Sequence, residues 1–294
     1  VDIRNLPSSE APVAAAGKDR SIGALLVDQG KLSAADAEAT LRHARATGLR
    51  FGDAAVALGF VTATDVQHAL ATQFDYPYLA PGDQSIAPEV VAAFAPFSRP
   101  VEALRAARTQ LTLRWFGAAE QRKALAVVSP ARGDGRSYLA ANLAVVFSQL
   151  GERTLLVDAD LRNPCQHRLF RLADGPGVSA LLAGRAGVET IQRVPGLLGL
   201  SVLPAGAPPP NPQELLGRPA FGMLLEELGL RFDLILIDTP AAALAVDFQM
   251  VSAVTRGAVM VARRNVTRSG AAAACKAQVE AAGARVVGAI LNDR

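Results

Sequence analysis

Apolar and polar positions along the 294-residue chain change period several times, and each change marks an element. Leu125-Ala126-Val127-Val128, Leu155-Leu156-Val157 and Leu234-Ile235-Leu236-Ile237 are short apolar runs without alternation. Such runs predict strands buried on both faces, as in a parallel sheet. A helical pattern fills 138–150, between the first two runs. Further strands are expected at 200–203, 258–261 and 286–291, and helices at 177–182, 221–230 and 270–282. Strands that alternate with helices predict an α/β domain, a mostly parallel sheet covered by helices on both faces.

The first third has a different pattern. Residues 1–19 are rich in Ala, Pro and Ser without a hydrophobic period and read as a flexible leader. Over 20–80 the pattern repeats: Gly23 recurs as Gly52 and Gly30 as Gly59, a common offset of 29 residues. Each unit continues into a polar start, Ser33 or Thr62, and a helical period through Ala37 and Leu41 or Val66 and Leu70. Two similar helical hairpins are expected, each with a glycine closing its first helix and a hydroxyl capping its second. Pro81, Gly82, Pro88, Pro96 and Pro100 then interrupt regular structure, so 81–100 is expected to be a linker and 101–294 the second domain. The span 102–115 reads as a helix carrying Glu102, Arg105 and Arg108 on one broad face.

Composition narrows the function classes. Half the residues are hydrophobic, which allows a sizeable core, and the formal net charge is only +3. There is no Lys/Arg block of five or more, so nucleic-acid binding is not expected. Cys165 and Cys275 have no metal-ligand spacing, and His43, His68 and His167 are scattered, so all three histidines read as structural or surface residues. No apolar run approaches the roughly 18 residues that span a bilayer, and no signal peptide is evident. A cytoplasmic protein is expected.

Chemistry concentrates between Leu125 and Pro164. Gly133-Asp134-Gly135-Arg136-Ser137 joins an apolar strand to a helix, where backbone N–H groups attract an anion. Small residues there allow close approach and positive φ. Ser137 stands where a hydroxyl would meet Mg²⁺. The pattern G-x-x-x-x-G-K-[ST] fails at Pro130 and at Arg136, which occupies the lysine position. An ordinary βα turn would explain such a loop by itself. However, Asp158 and Asp160 end one apolar run and Asp238-Thr239-Pro240 ends another. Mg²⁺ usually takes one or two carboxylates with phosphate and water, so two acidic strand ends beside one glycine loop predict an ATP·Mg²⁺ site.

With these residues in hand, 100–294 resembles the cytoplasmic domain of the bacterial tyrosine kinases (BY-kinases) of capsule and exopolysaccharide synthesis. The resemblance runs through Glu102-x-x-Arg105-x-x-Arg108, the Walker A region with Ala140-Ala141-Asn142-Leu143-Ala144, and the Walker A′ run from Leu155 to Arg162. It continues through Pro204-Ala205-Gly206, Pro210-Asn211-Pro212-Gln213-Glu214-Leu215-Leu216 and Walker B, Ile235 to Pro240. It implies a P-loop NTPase-like sheet and an ATP-dependent protein-tyrosine kinase. Gly133, Gly135, Arg136 and Ser137 would cradle phosphates and Mg²⁺, with Arg132, Asp134, Tyr138 and Arg162 added to the nucleotide contacts. Asp158 and Asp238 would serve the metal with Ser137. Arg136, Asp158 and Asp160 would be catalytic, Asp160 accepting the tyrosine proton or orienting the hydroxyl. Glu102, Arg105 and Arg108 would lie at an interface of a homo-oligomer.

Residues 20–80 resemble the N-terminal domain of type II secretion and pilus-assembly ATPases (MshEN), some of which bind cyclic di-GMP through two Arg-Leu-Gly-started motifs. Here the second reads Arg50-Phe51-Gly52, but Ser21 stands where the first would have Arg. A protein-docking module is the main expectation, with cyclic di-GMP as a secondary one. Combined with the Gly-Asp-Gly-Arg-Ser-Tyr loop, this layout is similar to EpsG-type kinases, which are paired with a separate membrane chain-length determinant (polysaccharide copolymerase). That implies a position peripheral to the inner membrane through the partner.

Two rival functions remain. Arg136 in place of Lys, with Tyr76, Tyr78 and Tyr138 as the only tyrosines, leaves room for a nucleotide-binding pseudokinase that assembles without phosphotransfer. A positioning ATPase of the partition or division type shares the fold but carries a signature lysine where this chain has Ala131.

Overall fold

The computed structural model describes residues 20–73, 77–80, 82–117 and 122–293. The expected leader, Asp75, Tyr76 and Pro81 lie outside the described residues. The chain divides into two compact units, Val1–Pro77 and Tyr78–Arg294.

In the first unit, helices α1 (Ile22–Asp28), α2 (Ala34–Thr47), α3 (Phe51–Ala57) and α4 (Ala63–Gln73) form two hairpins. The Ser33 hydroxyl accepts the Asp36 N–H at 3.1 Å. Thr62 and Asp65 cap reciprocally: the Asp65 N–H donates to Thr62 Oγ1 and the Thr62 N–H to Asp65 Oδ2, at 3.2 and 3.0 Å. Gly30 and Gly59 take φ of 67° and 74° just beyond α1 and α3, a left-handed turn that glycine adopts without strain. The repeat persists in the core, where Leu26 and Leu32 of one hairpin match Ala55 and Val61 of the other, all buried.

The second unit opens with α5 (Val91–Phe94) and α6 (Arg99–Leu111). It continues as β1 (Ala124–Val128), α7 (Arg136–Ser148), β2 (Thr154–Asp158), α8 (Gln166–Leu169), α9 (Val178–Leu182), β3 (Gln192–Arg193) and β4 (Leu200–Leu203). Then follow α10 (Pro212–Leu216), α11 (Pro219–Arg231), β5 (Leu234–Asp238), α12 (Asp247–Thr255), β6 (Gly257–Arg263), α13 (Ser269–Ala281) and β7 (Arg285–Asn292). The strands form one sheet in the order β3-β4-β2-β5-β1-β6-β7, parallel throughout except where β3 pairs antiparallel with β4. This is the expected α/β, P-loop NTPase-like layout.

Alternate side chains leave the sheet on opposite faces. Leu125, Val127, Leu156 and Leu236 enter one core with α7. Ala126, Val128, Leu155 and Ile237 enter the other with α9 to α13. Helix α7 is buried almost all round, from Leu139 to Ser148, so it has no solvent stripe. At the opposite end of the strands from the glycine loop, Arg153 and Asp233 pair through two side-chain bonds at 3.0 and 2.6 Å. The guanidinium holds the Asp233 carboxyl down at about 2.

The expected linker is not one. Ile86, Val90, Ala92 and Ala93 are buried in the same core as Leu125 and Leu143, and α5 forms among them. The prolines do break regular structure, but side chains of α7 satisfy the backbone between them. Asn142 accepts the Ala92 N–H at 2.9 Å and donates to the Glu89 and Tyr138 carbonyls at 3.2 and 2.9 Å. Gln149 donates to the Ala92 carbonyl at 3.0 Å. Leu79 is also buried here, its N–H bonded to the Ala93 carbonyl, so the unit begins at Tyr78 rather than beyond 100.

Replacing Asn142 with Leu would strand the buried Ala92 N–H and take a side-chain donor from the Glu89 carbonyl. We expect Asn142→Leu to cost about 3 kcal/mol, read as a lower urea midpoint at unchanged slope. New protease cleavage within 82–95 should accompany it.

Candidate active site

The glycine loop fills residues 129–135, between the end of β1 and the start of α7. Gly133 and Gly135 take φ of 88° and 91°, and a Cβ on Gly135 would lie 2.0 Å from Asn292 Nδ2. Asp134 shapes the turn from inside: its carboxylate accepts the Ala131 N–H and the Thr267 hydroxyl, both at 2.7 Å. Asn292 at the end of β7 donates to the Asp134 carbonyl at 3.1 Å. The first backbone bond of α7 runs from the Leu139 N–H to the Gly135 carbonyl. The N–H groups of Arg136, Ser137 and Tyr138 therefore precede the helix ladder and carry the positive end of its dipole. They adjoin a cavity of about 560 Å³ whose wall includes Gly133, Gly135, Ser137 and Asp160. That volume suits a nucleotide-sized ligand.

Parallel pairing of β2 with β5 sets Asp158 opposite Asp238. Between this acidic edge and the loop lies Arg136, which is itself buried. Its Nε donates to Asp238 at 2.9 Å, one Nη to Asp160 at 3.0 Å and the other to the Ser129 hydroxyl at 3.2 Å. Gln166 completes the ring. Its Nε2 donates to the second Asp238 oxygen at 2.8 Å and to the Ser137 carbonyl at 3.1 Å. Its backbone N–H donates to Asp158 at 2.9 Å. The N–H groups of Cys165 and Asp160 also reach Asp158, at 3.0 and 3.2 Å. Asp160 accepts the Asn163 N–H at 3.0 Å.

Burial pushes the Asp158 carboxyl up to about 8, with neighbouring Asp238 adding to the rise and the N–H groups of Gln166 and Cys165 opposing it. Asp160 is raised by burial too, while the Asn163 N–H and the Arg136 charge pull the other way. Burial takes the Cys165 thiol to about 12, so it stays neutral on the cavity wall.

The residues present fit ATP·Mg²⁺ in a particular way. Ser137 and Asp160 adjoin the cavity, whereas Asp158 and Asp238 are completely buried with both oxygens already engaged. No cage of three or more His, Cys, Asp or Glu occurs among the described residues. Mg²⁺ needs no such cage, since phosphates and water supply most of its ligands.

The tyrosine-protein kinase YwqD of Bacillus subtilis is 34% identical over 205 residues, 70% of this chain and 86% of the relative. This chain belongs to the bacterial tyrosine-protein kinase family. A tyrosine-protein kinase ptk of Acinetobacter johnsonii is 37% identical over 194 residues, although the match spans only 26% of that protein's length. The kinase domain of the Escherichia coli tyrosine kinase ETK superposes with a TM-score of 0.67 at 30% identity, covering 74% of this chain and 85% of that one. No family model matches the chain. The comparisons favour a tyrosine kinase over a positioning ATPase, in line with Ala131. They lend no support to the MshEN resemblance or to cyclic di-GMP.

Several expected roles change within this kinase fold. Asp134 lines the cavity, but its carboxylate is held by Ala131 and Thr267 and braces the loop. Arg162 is gripped by fully buried Asp247 through bonds of 2.7 and 3.1 Å and is not on the cavity wall. Asp158 and Asp238 are not on the cavity wall, and each of their oxygens already accepts a hydrogen bond, because parallel strands buried them among donors. Arg132 and Tyr138 do adjoin the cavity. On α6, Arg105 pairs with Glu102 at 3.0 Å and lies over the Phe97 ring, and Arg108 donates to the Val146 carbonyl at 2.8 Å. Arg108 thus joins α6 to α7, and Glu102 is the most open of the three. Sequence reasoning missed Gln166, Asn292 and His167. His167, expected to be structural or a surface residue, is on the cavity wall. No local motif marks Asn292 or His167, while Gln166 follows the Walker A′ run closely enough to have been considered.

No helix among the described residues is long and apolar enough to cross a membrane.

Arg136 is the counter-charge of a dry acidic cluster, so its loss should be pH-dependent. Without it the carboxyls of Asp158 and Asp160, both raised by burial, hold protons at pH values where the unfolded chain has released them. The folded state then binds more protons between about pH 4 and 8, and stability falls as pH rises through that window. Arg136→Met should cost about 3 kcal/mol at pH 8 and clearly less at pH 5, measured by urea unfolding at both.

Proposed function

We propose that this chain binds ATP·Mg²⁺ in the glycine-loop cavity and phosphorylates tyrosine, on another copy of itself or on a membrane partner in exopolysaccharide polymerisation or export. Family membership supports the reaction class. The observation that carries the reading for this chain is Asp160, a buried carboxylate on the wall of the same cavity as Ser137 and the first turn of α7.

In the proposed reaction the tyrosine oxygen bonds to the γ-phosphorus in line as the bond to the bridging oxygen breaks, and the phenolic proton passes to Asp160. Burial raises the basicity of that carboxylate, which suits a proton acceptor, and Asn163 N–H fixes its other oxygen. The loop N–H groups and Arg136 offset phosphate charge. Mg²⁺, when bound, neutralises charge across the β- and γ-phosphates, with Ser137 as its candidate protein ligand. Asp158 and Asp238 would act one layer out by orienting donors. Arg136 has two tasks, since the guanidinium that would meet phosphate also pairs with the candidate base. Replacing Lys by Arg therefore bears on rate more than on binding.

Glu102, with Arg105 and Arg108 behind it, is the proposed contact between copies in a homo-oligomer. The first unit is a proposed protein-docking module for a membrane chain-length determinant, which would hold the protein at the cytoplasmic face of the inner membrane. Its two buried hairpins, with a common 29-residue offset, support a self-contained module.

The test is to incubate the purified chain with ATP·Mg²⁺, with and without the membrane partner, and assay for phosphotyrosine. We expect label that falls by about 100-fold in Asp160→Asn while ADP affinity stays within about threefold, and that rises in Arg136→Lys. Nucleotide binding without label under any condition would overturn the kinase reading and leave a nucleotide-dependent assembly module. Absence of nucleotide binding would overturn both.

A further inference from the structure

Among the described residues, four buried side-chain atoms have no hydrogen-bond partner: the hydroxyls of Ser85, Ser98 and Ser252, and Oε1 of Gln166. Three are hydroxyls, which can turn toward a partner. The Gln166 oxygen has no such freedom. Its Nε2 faces two acceptors, Asp238 Oδ2 and the Ser137 carbonyl, so the amide has one orientation and the oxygen must point away from both. Gln166 is fully buried, yet its neighbours Cys165 and His167 both belong to the cavity wall. A buried amide carbonyl normally has a donor, and here the protein supplies none.

The same residue touches all three nucleotide motifs. Its side chain bonds the first turn of α7 at Ser137 and the Walker B acid Asp238, and its backbone bonds the Walker A′ acid Asp158. A shift of Ser137 toward a metal would thus be transmitted to Asp238 through one rigid amide. A hydrated metal beside Ser137 would bring water O–H donors to a region where each oxygen of Asp158 and Asp238 already accepts a hydrogen bond. Gln166 Oε1 is the buried acceptor there with no donor.

We infer that Gln166 is a positioning residue for the metal-bound nucleotide: its Nε2 ties Ser137 to Asp238, and its Oε1 accepts from a water carried by the metal. This rests on the proposed ATP·Mg²⁺ site. It extends that reading by assigning the metal-dependent part of nucleotide affinity to a residue outside the glycine loop and the acids. Such outer partners typically affect metal affinity about 10- to 100-fold.

The test uses the full chain. ADP affinity is measured by titration calorimetry in Mg²⁺ and in EDTA, for wild type, Gln166→Met and Gln166→Glu, with thermal unfolding of each. Methionine keeps the length and loses donor and acceptor, while a protonated glutamate would keep the acceptor and a single O–H in place of the two N–H donors. We expect Gln166→Met to bind ADP in EDTA within about threefold of wild type and to lose about tenfold or more of the gain from Mg²⁺. Gln166→Glu, with the acceptor and one of the two donors, should lose less of that gain than Gln166→Met. An undiminished gain in Gln166→Met, an equal loss in Mg²⁺ and EDTA, or a Glu variant as impaired as Met would each overturn the inference. If Gln166→Met does not fold, the Glu variant decides: a smaller gain from Mg²⁺ at unchanged affinity in EDTA supports the inference, and an undiminished gain overturns it. A wild type indifferent to Mg²⁺ would instead sink the proposed site itself.

Discussion

Three aspartates meet at the carboxyl edge of this sheet because β2 and β5 are parallel neighbours, and that register leaves carboxylates in a dry place where charge is costly. Arg136 is the compensation. A lysine ammonium is a compact point charge, whereas the planar guanidinium serves two carboxylates and the Ser129 hydroxyl at once. The loop, the acids and the start of α7 are thus held in one network by the residue that departs from the usual motif. The departure is matched by its surroundings and is not an isolated lapse. It also sets a tension, because the cation that stabilises the acidic cluster occupies the candidate base.

Much of the fold could be read from hydrophobic period alone. Unbroken apolar runs such as 234–237 have one physical explanation in a chain of this size, a strand covered on both faces, and the sheet contains it. The hairpin module was equally legible, because caps such as Ser33 and Thr62 and turns such as Gly30 and Gly59 are local chemistry. The stretch 81–100 was misread for a related reason. Prolines report correctly that no long element forms, but they do not report burial. What keeps that stretch folded is Asn142 and Gln149, supplied from α7 far along the chain.

Within the site the same division holds. Ser137, Asp160 and the two loop glycines stand where motif spacing put them, because strand, turn and helix geometry fixes positions a few residues apart. Motif spacing does not say which way a side chain turns. Asp134 belongs to the loop by sequence, yet Thr267 and Ala131 hold it inward. Arg162 belongs to Walker A′ by sequence, yet buried Asp247 captures it. Both captures are made by or through residues distant in sequence, which no local pattern encodes.

The loop's shape consequently depends on the last strand as much as on its own glycines. Asn292 donates to the Asp134 carbonyl and lies so near Gly135 that a methyl group would not fit between them. Thr267, just beyond β6, fixes the Asp134 carboxylate. Any movement of β6 and β7 against β1 would therefore reach the glycine loop directly, without passing through the acids. The site has two independent supports. One is the Arg136–Gln166 network on the β2–β5 side, built around charge. The other is the Thr267–Asn292 brace on the β6–β7 side, built around neutral donors to a single aspartate.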